Sequence, residues 1–419
     1  MLIYQVLTRL WRNGKMSGFD QATFDYLRSL GVSHIWYTGI IRHSQAGRPY
    51  VKGNIGSPYS IIDYYDINPY LAENPDRRLE EFEELVRRTH ESGLKVIIDF
   101  IPNHVSPEYN DSHGGIKTLH RCDYDWTDTD KIDYACPDNW DRMLSIVRYW
   151  ASKGVDGFRC DMAELVPLEF WRYLTLGAKQ TYPGLEFIAE VYEMGSYDRF
   201  IYTGGFDILY DKSGLYDTLR GIVSGEGKAW DITGVWQKLG PLQPHMLNFL
   251  ENHDEQRLAS PWFAGSAEKG FAALAVSALF YPCPFMLYFG QEIGEAAHDG
   301  ASGRTSIFDE QRHVDPLAPL SENQQEVLDR YREVLNLREE LKWADNFDLC
   351  YFQKSALGFD MRKHFAFIRH DSDHTAVVFA NFSDKPASVC LRIPPEAPGA
   401  FGSDLMAEAG PWDFTILKK

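Results

Sequence analysis

The strongest constraint on the fold is a unit of three parts, an amphipathic helix, a glycine and an apolar strand, that recurs along the chain. In the first copy, Asp20 is the N-cap of a helix that stops at Gly31, and the strand Val32–Tyr37 follows at once. The second and third copies place a helix and then a strand at Leu79–Ser92 and Lys95–Phe100, and at Trp140–Lys153 and Val155–Met162. Apolar strands that alternate with helices are typical of a parallel sheet covered on both faces.

Five more apolar segments bring the number of candidate strands to eight. They are Leu2–Val6, Glu186–Val191, Phe206–Tyr210, Met246–Leu250 and Phe285–Phe289. Eight strand–helix units in about 340 residues fit a closed (β/α)8 barrel better than an open sheet. We therefore predict an α/β fold with a TIM barrel formed by residues 1–104 and 140–344.

Two segments depart from the strand–helix pattern. Residues 105–139 follow the third strand, are rich in Asp, Gly, His and Tyr, and lack a long periodicity, so they predict a short insertion. Residues 345–419 contain β-rich runs separated by Asp, Ser, Pro and Gly, which predicts a separate antiparallel domain, a β-sandwich. Its expected strands are Phe347–Gln353, Phe365–Arg369, Thr375–Asn381, Ala387–Ile393 and Phe414–Leu417.

Charge and hydropathy exclude two kinds of partner. Asp and Glu number 60 against 42 Lys and Arg, a net charge of -18, whereas nucleic-acid binding requires a basic face. No segment has the roughly 18–20 consecutive apolar residues that cross a bilayer, so we expect no membrane partner either. The segment Met1–Val6 has no basic region followed by an apolar one, which predicts a cytoplasmic protein or one whose signal peptide was removed beforehand.

Charged side chains follow several of the predicted strands at their C-terminal ends, where barrel enzymes place their active sites. These residues are Asp99 at the end of strand three, His104 after it, Arg159 and Asp161 at strand four, Glu190 at strand five, and His253 and Asp254 after strand seven. The uncharged Asn103 precedes His104. Like charges held close together are costly, so a rim with several carboxylates, an Arg and two His predicts a functional site.

Two carboxylates on either side of a bond are the groups that hydrolyse a glycosidic bond. Arg159 lies two residues before Asp161, so both side chains point to the same face of a strand, and the cation would keep Asp161 ionised as a nucleophile. Glu190 lies between two apolar residues, which favours the protonated form that a general acid needs.

Four of these segments, taken together, resemble the conserved regions of a known family. DFIPNH at Asp99–His104, GFRCDMA at Gly157–Ala163, AEV at Ala189–Val191 and FLENHD at Phe249–Asp254 are similar to those of the α-amylase family, glycoside hydrolase family 13. They occur in the family's order and spacing, and the resemblance spans the whole chain. It implies a (β/α)8 barrel, a domain B inserted after strand three (here short, residues 105–139) and an antiparallel domain C.

The resemblance also implies a role for each matching residue. Asp161 would be the nucleophile, Glu190 the general acid/base, and Asp254 a third carboxylate that binds sugar hydroxyls. Tyr59, His104, Arg159 and His253 would hold the sugar at the cleavage site, and Asp99 and Asn103 would support the site from nearby. The implied reaction is double displacement with retention of the α configuration.

One departure from the family pattern concerns calcium. Asn103 matches a calcium-ligand position, but Glu164-Leu165 replaces the Lys-His pair that calcium-dependent members carry after the nucleophile. We therefore expect that no cofactor is required, and Asn103 is the one position at which the resemblance would place a metal ligand.

Three functions are compatible with these residues. The first is hydrolysis of α-1,4 bonds in starch-derived glucans or maltooligosaccharides. The second is glycosyl transfer or isomerisation on α-glucosides such as sucrose, trehalose or maltooligosaccharides, which uses the same carboxylates and differs in how well water is excluded. The third is a non-catalytic barrel that binds a sugar or a partner protein. The first is our prediction, since Asp161, Glu190 and Asp254 are all present.

Overall fold

Eight parallel strands form a closed barrel in the computed structural model, which describes residues 1–45, 51–111, 113–296, 302–310, 312–399 and 401–419. The barrel strands, labelled β1 to β8, are Leu2–Leu7, His34–Thr38, Lys95–Phe100, Gly157–Cys160, Glu186–Ala189, Ile208–Tyr210, Met246–Phe249 and Phe285–Tyr288. Each strand pairs with its neighbours in the sequence, and β8 pairs with β1. This order confirms the predicted (β/α)8 barrel.

A helix follows each barrel strand along the chain, as the recurring unit predicts. The helices α1 to α9 are Gln21–Ser29, Arg78–Glu91, Pro137–Ser152, Leu168–Thr181, Tyr197–Tyr202, Asp217–Ser224, Asp231–Leu239, Phe271–Leu279 and Glu322–Glu340. In α1, the Asp20 side chain accepts the N–H of Thr23 at 2.9 Å, and Gly31 after the helix has φ of +78°. The predicted cap and stop are therefore confirmed.

One predicted helix starts too late along the chain, and one predicted strand is too long. The helix predicted from Trp140 begins at Pro137, whose missing N–H costs nothing in a first helical turn. The strand predicted over Val155–Met162 is confined to Gly157–Cys160, and Met162 has a left-handed φ of 45°. The strand therefore ends directly before Asp161, and the backbone turns sharply after it.

The segment between β3 and α3 makes only a small excursion. Its two-stranded sheet pairs His104–Val105 with Asp130–Lys131 in antiparallel fashion. A second small sheet, which the sequence did not predict, pairs Ile41–His43 with Ile61–Ile67 in the segment after β2. Ser106 donates its backbone N–H to Ile61 at 2.8 Å, so the two small sheets are linked.

The C-terminal strands are antiparallel, as predicted. Strands β9 to β14 are Asp345–Asp348, His364–His370, Thr375–Asn381, Ala387–Arg392, Asp404–Ala409 and Phe414–Lys418. One sheet has the order β9-β10-β11-β14, and β12 pairs with β13 in a second sheet. Apolar side chains from both sheets form one core, among them Ile368, Phe379, Val389 and Leu391. This domain confirms the predicted C-terminal β domain.

Two strand predictions in the C-terminal domain are wrong. The strand expected over Phe347–Gln353 ends at Asp348, because that carboxylate accepts the N–H of Cys350 at 2.8 Å and a 3-10 turn follows. The strand Asp404–Ala409 was missed, since its exposed face carries charged residues and only Ala407 and Ala409 are buried in the core.

The chain divides into two compact units. The first contains Met1–Tyr210 and Ser306–Ala318, and the second contains Asp211–Thr305 and Pro319–Lys419. The domain boundaries given above stay a prediction. No helix in the described ranges combines the length and the apolar character that crossing a membrane requires.

A buried carboxyl in the second unit makes stability depend on pH. Asp211 is 1% exposed and accepts the backbone N–H groups of Gly214 and Leu215, and burial raises the pKa of Asp211 to about 7. Gly214 is needed there, because a Cβ would come within 2.0 Å of the Asp211 carboxylate. The folded state therefore keeps a proton at pH values where the unfolded chain has lost it.

We expect Asp211→Asn to become more stable relative to the wild type as pH rises from about 5 to about 8. The wild type loses the contribution of Asp211 as pH rises through about 7, because its folded-state pKa is the raised one, whereas Asn does not titrate. Thermal unfolding of both proteins at the two pH values measures this change. Asp384→Asn, at an exposed position, is the control, and an unfolding-temperature difference that does not change with pH would contradict the assignment.

Candidate active site

The register of three neighbouring strands places four charged side chains on the inner face of the barrel. Asp99 on β3 pairs with Arg159 on β4, and Arg159 pairs with Ile188 on β5. Side chains two residues apart in a strand share a face, so Asp161 lies on the same face as Arg159, and Glu190 on the same face as Ile188. Parallel pairing and the two-residue period are therefore enough to bring these groups together.

Arg159 is the centre of the cluster and has no exposed surface. Its Nη1 lies 2.7 Å from Asp161 Oδ1 and 3.6 Å from Asp99 Oδ1, and its Nη2 lies 2.8 Å from Glu190 Oε2. Burial opposes the charge of a guanidinium, but Glu190, Tyr210, Tyr59 and Asp161 together outweigh that effect and keep the pKa of Arg159 well above its ordinary value. One buried cation therefore forms ion pairs with three carboxyl groups.

Aromatic rings surround the guanidinium. The centroids of Trp36, Tyr59 and Tyr210 lie 5.4, 5.5 and 5.5 Å from Arg159 Cζ, within the range of cation–π attraction. Trp36 Nε1 and Tyr59 Oη also donate to Asp99, at 3.1 and 3.3 Å. Tyr59 therefore lies in the cluster, and its sugar-binding role stays a prediction. Sequence analysis missed Trp36, in the middle of β2, and Tyr210, the last residue of β6.

The two carboxyl groups with predicted catalytic roles interact directly with each other. Asp161 raises the pKa of Glu190, because two negative charges held close together repel each other. Burial raises the pKa of Asp161 and of Glu190, and it raises the pKa of Asp99 to about 7, while Arg159 lowers all three. The spacing predicted that Arg159 would keep Asp161 ionised, but burial outweighs Arg159 and the pKa of Asp161 is raised. The same guanidinium also contacts Glu190.

Glu190 accepts two further hydrogen bonds. Tyr192 Oη donates to Glu190 Oε1 at 2.5 Å, and the backbone N–H of Met162 donates to Oε2 at 2.8 Å. Met162 has a left-handed φ of 45° directly after Asp161. The side chain of Glu190 is consequently fixed from three directions, by Arg159, Met162 and Tyr192. Sequence analysis did not identify Tyr192.

His104 lies at the start of the excursion after β3 and is buried. Burial lowers the pKa of His104 to about 4, so the imidazole is neutral at pH 7. Its ring centroid is 5.6 Å from that of Trp126, which is 4.9 Å from Tyr124, an exposed residue. A neutral imidazole can both donate and accept hydrogen bonds, which suits contact with sugar hydroxyls.

The surroundings of Asn103 do not fit a calcium ion. Asn103 Nδ2 donates to Asp123 Oδ2 at 2.9 Å, and the Lys131 ammonium lies 2.9 and 2.7 Å from the two oxygens of the same carboxylate. Calcium takes about six to eight oxygen ligands, whereas a cation already holds this carboxylate. Among the described residues, no group of three or more His, Cys, Asp or Glu could hold a metal.

His253 and Asp254 lie in the second unit, directly after the loop residues that follow β7. His253 Nε2 is 3.0 Å from Asp254 Oδ2, and His253 is buried while 41% of the Asp254 side chain is exposed. The preceding Glu251 is buried against Arg257 at 2.9 Å, and burial raises the pKa of Glu251 to about 7. The roles implied for His253 and Asp254 stay predictions.

Comparisons with known proteins find similarity to α-amylases and related proteins. The model of the α-amylase catalytic domain matches residues 9–143. The α-amylase MalA of Haloarcula japonica is 28% identical over 438 residues, which cover 99% of this chain and 60% of the relative. Neopullulanase 2 of Thermoactinomyces vulgaris is 23% identical over 401 residues, 88% of this chain and 63% of the relative. The chain thus spans about 60% of the length of these curated relatives.

A solved structure shows the same fold over the whole chain. An α-amylase of Lactobacillus plantarum superposes with a TM-score of 0.75 at 22% identity, covering 100% of this chain and 98% of the other. The fold and the cluster define a (β/α)8-barrel protein with an acidic site at the C-terminal ends of its strands. Over residues 9–143 the chain is also similar to the catalytic domain of the α-amylase family, and along nearly its whole length to the α-amylase MalA.

Proposed function

We propose that this protein is a retaining α-glycoside hydrolase that cleaves α-1,4-glucosidic bonds of starch-derived glucans or maltooligosaccharides. The observation that carries the proposal is the single buried guanidinium of Arg159 between the carboxyl groups of Asp161 and Glu190, at 2.7 and 2.8 Å. It holds two carboxyl groups close together where one must be ionised and the other protonated, which is the requirement of glycoside hydrolysis.

In the first step, the Asp161 carboxylate attacks the anomeric carbon and forms a β-linked glycosyl ester. The bond from that carbon to the leaving oxygen breaks, and Glu190 gives its proton to the oxygen. In the second step, Glu190 removes a proton from water, which attacks the same carbon and releases Asp161. Two inversions give a product with the α configuration.

Other residues of the first unit bind the sugar in this proposal. Tyr59 and His104 provide an aromatic face and a neutral imidazole beside the cluster, and Asp99 keeps Tyr59 and Trp36 in place. Relatives named α-amylase, neopullulanase and cyclomaltodextrinase support an α-glucan as the substrate. Glycosyl transfer would use the same residues, with a sugar hydroxyl replacing water in the second step.

A proton NMR time course with maltoheptaose tests the proposal. We expect new α-anomeric reducing ends that appear first and mutarotate later, because retention produces the α anomer. Longer oligosaccharides without a net gain in reducing ends would indicate transfer instead. New β-anomeric ends would contradict the retaining mechanism, and an unchanged spectrum, repeated with sucrose, trehalose and a 1,6-linked glucan, would contradict hydrolysis.

Two further expectations accompany this proposal. We propose that no metal is required, and equal activity with and without excess EDTA is the expected result. The position of Lys131 on Asp123 supports this, because the ammonium supplies the positive charge there. A cytoplasmic location stays a prediction, which fractionation of the source cells would test.

A further inference from the structure

Glu164 lies three residues after Asp161, and its carboxylate holds the backbone of the segment that follows Glu190. Glu164 Oε2 accepts the backbone N–H of Tyr192 at 3.0 Å and that of Glu193 at 3.2 Å. Both amides belong to the segment directly after Glu190. A carboxylate that accepts two successive amides fixes the backbone between them and so fixes where the Tyr192 side chain begins.

Tyr192 contacts one carboxyl oxygen of Glu190, and the Met162 amide and Arg159 contact the other. Tyr192 Oη donates to Oε1 at 2.5 Å, whereas the Met162 amide and Arg159 Nη2 lie 2.8 Å from Oε2. The phenol is therefore the one described side chain that the structure places on Oε1. Oε1 is the oxygen left to exchange a proton, because Oε2 is held by a cation and an amide.

We propose that Tyr192 is a positioning residue that stabilises the ionised form of Glu190, and that Glu164 holds Tyr192 in place for this purpose. The inference rests on the proposed function, in which Glu190 must be a carboxylate when it takes a proton from water. A phenol that donates a hydrogen bond to the carboxylate favours that state over the protonated acid.

The charges that face Glu190 come from three elements. Arg159 on β4 lowers the pKa of Glu190, Asp161 at the end of β4 raises it, and the Tyr192 phenol, on the segment after β5, lowers it. Asp99 on β3 acts through Arg159, which it shares. Replacing the phenol by a phenyl ring leaves the charges of Arg159 and Asp161 in place and removes one hydrogen-bond donor, so the pKa of Glu190 rises.

Tyr192→Phe is the decisive variant, because it deletes only the hydroxyl group. The basic limb of the kcat/KM profile reports deprotonation of the general acid in the free enzyme. We expect this limb to move to higher pH by about one unit, the size of effect that a hydrogen bond to a charged group produces. Tyr202→Phe, at a position 64% exposed on α5, is the matched control and should leave the profile unchanged.

Variants of Glu164 test independently whether Glu164 positions Tyr192 for its contact with Glu190. Glu164→Ala removes the acceptor for both amides and should shift the basic limb in the same direction as Tyr192→Phe. Glu164→Gln keeps an acceptor oxygen and should restore most of the wild-type profile. Glu169→Gln, at an exposed position of α4, is the control for removing a nearby carboxylate.

The outcomes separate this inference from the proposed function. A wild-type protein without activity on any α-glucoside would overturn the proposed function and this inference with it. An active wild type with an unmoved basic limb in Tyr192→Phe would overturn the inference alone, whatever happens to kcat. If Tyr192→Phe unfolds below the assay temperature, the Glu164→Ala and Glu164→Gln pair decides, and equal profiles for these two variants would contradict the role of Glu164.

Discussion

Asp161→Asn lowers kcat on maltoheptaose by at least about 10⁴-fold, if this carboxylate is the nucleophile that forms the glycosyl-enzyme. The amide has nearly the same shape but cannot form the ester, while it can still accept from Arg159 Nη1, which lies 2.7 Å from Asp161 Oδ1. The fold should therefore survive, and circular dichroism with thermal unfolding checks this. Asp25→Asn, at an exposed position of α1, is the control.

The product formed in the presence of azide identifies which carboxyl group is which. In Asp161→Ala, azide can enter the space of the missing carboxylate and attack the anomeric carbon from the β side, while Glu190 still protonates the leaving oxygen. We expect a β-glycosyl azide. In Glu190→Ala, azide should instead attack the glycosyl-enzyme formed by Asp161 and give an α-glycosyl azide. The opposite pairing of variants and products would reverse the two assignments.

Much of the cluster could be predicted because two simple periodicities determine it. The two-residue repeat of a strand puts Arg159 and Asp161 on one face, and parallel strands bring Asp99 beside Arg159. Barrel strands also end on one rim, so polar residues at successive strand ends converge. These positions follow from the backbone pattern alone and do not depend on side-chain contacts, so the sequence is sufficient to predict them.

The aromatic part of the cluster could not be predicted in the same way. Trp36, Tyr192 and Tyr210 lie in or beside apolar strands, where an aromatic residue is most often part of the core. What distinguishes them is a contact with a charged group: Trp36 with Asp99, Tyr192 with Glu190, and Tyr210 with Arg159. Such contacts depend on side-chain rotamers and on the local path of the backbone. Neither can be predicted from the spacing of residues in the sequence.

Elements formed by pairing between separate segments were also missed. The sheet of Ile41–His43 with Ile61–Ile67 joins two short runs across a loop, and Asp63, Tyr65 and Asp66 break the apolar alternation. The strand Asp404–Ala409 depends on its partner Ala387–Arg392 for six residue pairs. Strand formation in such cases follows from the partner and from burial more than from local preference.

Arg159→Met tests whether the buried cation holds the cluster together. Removing the guanidinium leaves Asp99, Asp161 and Glu190 buried without a positive partner, and breaking a buried ion pair from one side costs about 3–5 kcal/mol. We expect that loss of unfolding free energy at pH 8, together with a loss of kcat/KM. Urea unfolding at pH 5 and pH 8 measures the stability.

The pH dependence of that loss distinguishes charge from packing. In the wild type, Arg159 lowers the pKa of all three carboxyl groups, so without it their folded-state pKa values lie still further above those of the unfolded chain. The folded variant then binds more protons than the unfolded one, and its stability falls as pH rises above about 4. We therefore expect Arg159→Met to be destabilised much more at pH 8 than at pH 5, while Arg121→Met, at an exposed position, changes little at either. A loss of packing does not depend on pH. An equal loss of unfolding free energy at both pH values would therefore mean that Arg159 stabilises the fold through packing and not through its charge.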